Sequence, residues 1–121
     1  MMYKTRDSYN TDHISQKLAT AAIESFEYAQ ENCNRIRESR NRLREDLNEL
    51  GLSAAESQSN FILCQVPQAI GAQNLYRHLK QKHILVRYFD QDRLRDKLRI
   101  SIGSDTENAT LVAAIKEALS K

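Results

Sequence analysis

A chain of 121 residues has room for one domain and at that size buries about two-thirds of its unfolded surface, enough for a core without disulfide or metal staples. With 40% hydrophobic and 28% charged residues, three glycines and one proline, the composition is that of an ordinary globular domain and excludes fibrous or disordered classes. A formal net charge of +2 is too small to argue for a polyanionic partner, so it bears on solubility and not on function.

The longest apolar run, Leu111 to Ile115, is far shorter than the ~20 residues of a membrane span, and the first residues carry no basic-then-apolar signal pattern. A cytoplasmic protein without membrane association is expected. Cys33 and Cys64 lie in segments of different type with no paired spacing nearby, which predicts two reduced, buried thiols and neither a metal site nor a redox motif.

Apolar positions step by three or four from Ile14 through Leu18, Ala22, Phe26, Ala29, Cys33, Ile36, Leu43, Leu47 and Leu50, with Arg40 breaking the stripe. Asn10, Thr11 and Asp12 are N-cap types ahead of it, and Gly51 can end it in a left-handed conformation. Poor helix formers and aromatics around Ser25, Phe26 and Tyr28 predict a break, hence helices over about 12–25 and 27–50. Short apolar runs then predict strands over about 52–56 and 60–66 around the turn Ser57-Gln58-Ser59-Asn60. Ala72, Leu75, Tyr76 and Leu79 return to helical period, giving a helix over about 70–82. Two further strands are expected over about 84–88 and 97–102, paired with each other across a charged loop. Ser104 and Glu107 form a Ser-x-x-Glu capping box opening a last helix, about 104–120, with Leu111, Val112, Ile115 and Leu119 on its buried face. That order predicts a single α+β domain over 1–121, a two-layer sandwich in which a small, mostly antiparallel sheet is covered by helices.

Most candidate chemistry is excluded. Five arginines between Arg35 and Arg44 suggest a helix laid along nucleic acid, but Glu31, Glu38, Glu45 and Asp46 are interleaved, so a solvated, ion-paired helix face is expected and no nucleic-acid partner. His78 and His83 lack companions at metal-ligand spacing. The glycines at 51, 71 and 103 are too scattered for a phosphate loop, and no nucleophile turn is present, so no catalytic or metal residues are assigned.

Two arginines stand apart. In Leu98-Arg99-Ile100-Ser101-Ile102 the alternation places Leu98, Ile100 and Ile102 on one face and Arg99 on the other. A guanidinium on a rigid strand suits bidentate capture of a carboxylate or phosphate. Arg87 holds a similar place just before Tyr88-Phe89. Pairing of each arginine with Asp90 or Asp96 is the competing expectation.

The strings Arg6-Asp7-Ser8-Tyr9-Asn10, Ser57-Gln58-Ser59-Asn60-Phe61, Ile84-Leu85-Val86-Arg87-Tyr88-Phe89 and Leu98-Arg99-Ile100-Ser101-Ile102-Gly103, followed by Glu107-Asn108, resemble in order and spacing the C-terminal third of histidinol-phosphate aminotransferases. The resemblance implies the small domain of a fold type I pyridoxal-phosphate enzyme that moves an amino group between histidinol phosphate and 2-oxoglutarate in histidine biosynthesis. It further implies that Arg99 holds a substrate carboxylate and takes part in recognising the phosphorylated substrate, and that Arg87 is a second substrate-site arginine associated with the phosphate. The Schiff-base lysine, the acidic partner of the cofactor ring and the phosphate cup have no counterpart here. Pyridoxal phosphate is therefore not expected on this chain, and the detached domain is expected to be inactive alone. His83 stands where relatives often carry glycine, which suggests a left-handed helix end. The alternative expectation is a self-association or protein-interaction module, a homo-oligomer formed through the face that a large domain normally covers.

Overall fold

The computed structural model describes residues 11–121, so the string Arg6 to Asn10 and Lys4 lie outside the described residues. Where one domain over 1–121 is expected, the chain divides into two units, 1–34 and 35–121.

In the first unit, helix α1 (His13–Glu24) starts at Asp12, whose carboxylate accepts from the Ser15 amide at 2.7 Å. That bond to the backbone amide, reinforced by the Ser15 hydroxyl, holds the Asp12 carboxyl below its usual value. The helix breaks at Ser25, and α2 (Phe26–Glu49) begins there. No side chain of α1 is buried: Ile14 is 72% exposed and Ile23 76%. The burial expected of Cys33 is corrected for the same reason. Its thiol is exposed, because the stripe it belongs to meets no second layer within 13–34.

The second unit is a two-layer α+β sandwich. Its sheet runs in the order β1-β2-β4-β3, formed by β1 (Ser53–Ala54), β2 (Phe61–Gln65), β3 (Arg87–Tyr88) and β4 (Lys97–Ser101), and each described pairing is antiparallel. The C-terminal half of α2, with α3 (Ala72–Gln81) and α4 (Asp105–Ser120), covers one face. Leu43 and Leu47 of α2, Leu75 and Leu79 of α3 and Leu111 and Ile115 of α4 share a core with Ile62, Cys64, Leu98 and Ile100 of the sheet. Burial of an aliphatic side chain of this size stabilises the fold by about 1.5–3 kcal/mol. Burial also pushes the Cys64 thiol up to about 12, which leaves it inert as a nucleophile. The buried stripe of α4 is Leu111, Ala114, Ile115 and Ala118, rotated from the expected one, so that Val112 and Leu119 sit at its margins; small alanines let the helix approach closely.

Helix ends explain where the outer strands begin. Gly51, at φ 86°, closes α2 with paired bonds from the Gly51 amide to Asn48 O and from the Leu52 amide to Leu47 O. His83, at φ 61°, does the same for α3: its amide bonds Lys80 O and the Ile84 amide bonds Leu79 O. Because Ile84 is tied back to the helix, 84–86 runs apart from β4 and the strand expected over 84–88 is confined to Arg87–Tyr88. A groove of about 510 Å³ separates the two, lined by Ile84, Leu85, Val86, Ile102 and Leu111. The first strand is likewise shorter than expected, since beyond Ala55 the chain enters a turn in which the Ser57 hydroxyl bonds Phe61 O at 2.6 Å.

One arginine of the basic helix run is buried. Arg40, 7% exposed, donates from Nη1 to Ser59 O at 3.0 Å. Arg44 pairs with Glu56 at 3.3 Å, and Asn48 Oδ1 accepts from the Ala54 amide at 2.9 Å. These three residues stand at i, i+4 and i+8, so one side of α2 is stitched to segment 54–59 at one-turn intervals. Arg42 pairs with Asp105 at the start of α4.

Candidate functional site: an arginine pair on the bare face of the sheet

Strand alternation sends Leu98 and Ile100 into the core and Arg99 to the other face, which no helix of 35–121 covers. The register places Arg99 directly opposite Arg87 on β3 and Leu63 on β2. The two arginines predicted from sequence are therefore cross-strand neighbours. Arg99 is half-buried and Arg87 exposed.

Neither arginine joins an ion pair among the described residues. Asp90, one expected partner, accepts from Arg95 at 2.8 Å, and Asp96, the other, holds Lys97 at 2.7 Å and Gln65 at 2.6 Å. The hydrogen bond from Lys97, then that from Gln65, holds the Asp96 carboxyl below its usual value. What the arginines meet instead are rings. The Arg99 Cζ lies 5.2 Å from the Phe61 ring centroid and 5.7 Å from that of Phe89, and the Arg87 Cζ lies 5.3 Å from Phe89. Contact with a ring occupies none of the N–H donors, so they stay available to an anion. The pairing of strands, which no local string reveals, is what hid the two phenylalanines from sequence reasoning; Asn60-Phe61 and Tyr88-Phe89 were the available signal.

The end of β4 is clamped. Gly103 N donates to Asn108 Oδ1 at 3.0 Å and Asn108 Nδ2 donates to Gly103 O at 3.1 Å, while Ser104 and Glu107 close the capping box. The bond from the Ser104 amide holds the Glu107 carboxyl below its usual value. A Cβ on Gly103 would lie 2.8 Å from Glu107 Oε2 and 3.0 Å from its Cβ, so a side chain there would displace the Glu107 carboxylate from the cap. The clamp fixes the strand that carries Arg99 to the rigid start of α4.

Lys80, Lys82 and Lys97 have partners of their own. Lys97, which shares the face by alternation, donates to Asp96 and to Arg93 O. Lys82 pairs with Glu117, and Lys80 lies over the Tyr76 ring. Among the described residues no group of His, Cys, Asp and Glu side chains could hold a metal ion, and no helix is long and apolar enough to cross a membrane.

A helix-backed antiparallel sheet with two guanidiniums on its open face defines an α+β sandwich domain. Residues 1–115 match the family described as aminotransferase class I and II, and the chain belongs to that family. It is 47% identical over 116 residues to the histidinol-phosphate aminotransferase of Microcystis aeruginosa and 45% identical over 118 residues to histidinol-phosphate aminotransferase 1 of a Nostoc species. These matches take in 96% and 98% of this chain but 33% of either relative, so the chain spans about a third of their length. Among solved structures it resembles the histidinol-phosphate aminotransferase of Sinorhizobium meliloti in complex with pyridoxal-5'-phosphate, with TM-score 0.82, 27% identity, and coverage of 98% of this chain and 33% of that one. A putative aminotransferase from Burkholderia pseudomallei matches with TM-score 0.83 and 27% identity over 98% of this chain and 36% of its own.

Proposed function

We propose that this chain serves as the substrate-closing C-terminal domain of a histidinol-phosphate aminotransferase-type protein, which exchanges an amino group between histidinol phosphate and 2-oxoglutarate. The observation that carries the reading is the directly opposed Arg87 and Arg99, each in contact with a ring and paired with no carboxylate among the described residues. Arg99, half-buried at the centre of the face, holds the substrate carboxylate and contributes to recognition of the phosphorylated substrate; Arg87 takes the phosphate at the exposed edge. Both act by positioning, since a guanidinium stays protonated and moves no proton at neutral pH. The cofactor and its lysine belong to the remaining two-thirds of such a protein, and this chain alone performs no transamination.

The test is a chimaera in which this chain replaces the matching third of the Microcystis relative. The expected result is transamination of histidinol phosphate with 2-oxoglutarate, diminished by substitution of either arginine. A folded, cofactor-loaded chimaera that turns over a different amino acid but not histidinol phosphate would refute the substrate assignment.

A second reading has its own observation. Ile14 and Leu18, one turn apart on the same side of α1, are 72% and 66% exposed, and an apolar stripe of that kind is covered in a stable protein. In the chain by itself a second copy covers it. Sedimentation velocity is expected to show a dimer that Leu18→Glu converts to monomer, and a monomer across the concentration range removes this reading.

A further inference from the structure

Resting on the reading above, we infer that Phe89 is a positioning residue that sets the orientation and spacing of the two guanidiniums, so that the bare face selects a ligand carrying two anionic groups. One ring serves both cations: its centroid lies 5.3 Å from the Arg87 Cζ and 5.7 Å from the Arg99 Cζ. Like charges at directly opposed positions of an antiparallel pair repel, and flexible arginine side chains relieve that repulsion by splaying apart. An aromatic quadrupole, negative over its faces, attracts each cation and gives both a reason to stay. Phe61 adds a second ring on Arg99 at 5.2 Å and contacts Arg87 in no described way, so it acts on one fork and Phe89 on both.

The consequence is chemical. A guanidinium whose planar face lies over a ring presents its in-plane N–H donors sideways, the geometry a carboxylate or phosphate accepts bidentately. Two such forks held by one ring at fixed separation reward a ligand with an anionic group at each end, as 2-oxoglutarate has. A ligand with a single anionic group gains less from the fixed spacing.

The experiment uses the 15N-labelled chain, reading the Nε–Hε resonances of Arg87 and Arg99 during titration with 3-phosphoglycerate, which carries both anions, and with inorganic phosphate, which carries one. Ring currents are expected to shield both Hε protons. Phe89→Leu should release both shifts, Phe61→Leu that of Arg99 alone, and Phe89→Tyr neither. Tighter binding of 3-phosphoglycerate than of phosphate is expected, with Phe89→Leu weakening the former about three- to tenfold, a loss in the range of exposed to partly buried cation–π contacts, and erasing the preference. Unchanged Hε shifts and affinities in Phe89→Leu, or the absence of binding by the unsubstituted chain, would overturn the inference. If Arg87→Ala and Arg99→Ala abolish binding while Phe89→Leu does nothing, Phe89 loses its role and the arginine reading stands. If the arginine variants bind as before, that reading falls as well.

Discussion

The two faces of the four-stranded sheet do opposite work with neighbouring residues of the same strands. Leu98 and Ile100 point into a core shared with α2, α3 and α4, whereas Arg99, between them, points to a face that those helices leave bare. A two-residue side-chain period is enough to keep the two tasks apart, because each residue sees a single face. The covered face is apolar and closely packed; the bare face holds polar and aromatic groups that stack without filling a core. Substitutions on the bare face should therefore cost little stability, and those on the covered face a great deal.

Substitutions on one strand put that division to the test. Leu98→Ala, a fully buried deletion, is expected to lower the free energy of unfolding by about 2–5 kcal/mol, read from urea melts of the chain, and a loss under 1 kcal/mol would mean that the core is not where the structure puts it. Arg99→Lys in the chimaera keeps the charge and loses the fork. It should lower kcat/KM for histidinol phosphate about 10- to 100-fold, the ~1.5–3 kcal/mol of a hydrogen bond to a charged group, while moving stability by no more than about 0.5 kcal/mol. Equal losses of activity and stability would erase the contrast between the faces. The smallest effect is expected at a helix end that serves neither face: His83→Gly relieves a left-handed residue and should raise stability by about 1 kcal/mol with no change in anion binding.

How much of this could be read from the residues varies with the range of the interaction. Local signals were legible: Ser104 and Glu107 form the capping box, Asp12 caps α1, Gly51 and His83 end α2 and α3, and the alternation around Arg99 gives the right face. Arg40 was visible merely as a flaw in an apolar stripe, because the carbonyl that accepts its proton lies 19 residues away on a turn. Cys33 carries the sequence pattern of a buried thiol but not the neighbours that would bury it. The expected strand over 84–88 had the right residues, and the Ile84 amide bonded back to α3 kept most of them out of the sheet. The guanidinium–ring stack depends on register between strands, which periodicity does not encode.

The stitching of α2 to segment 54–59 has a mechanical consequence. Arg40, Arg44 and Asn48 recur four residues apart, so sliding the segment along the helix breaks all three links together, and since the three partners differ no shifted position restores them. The strip is a detent with one seat. Phe61, two residues past the last stitch, inherits that setting, and through its contact with Arg99 the height of that guanidinium on the bare face is indexed to the helix.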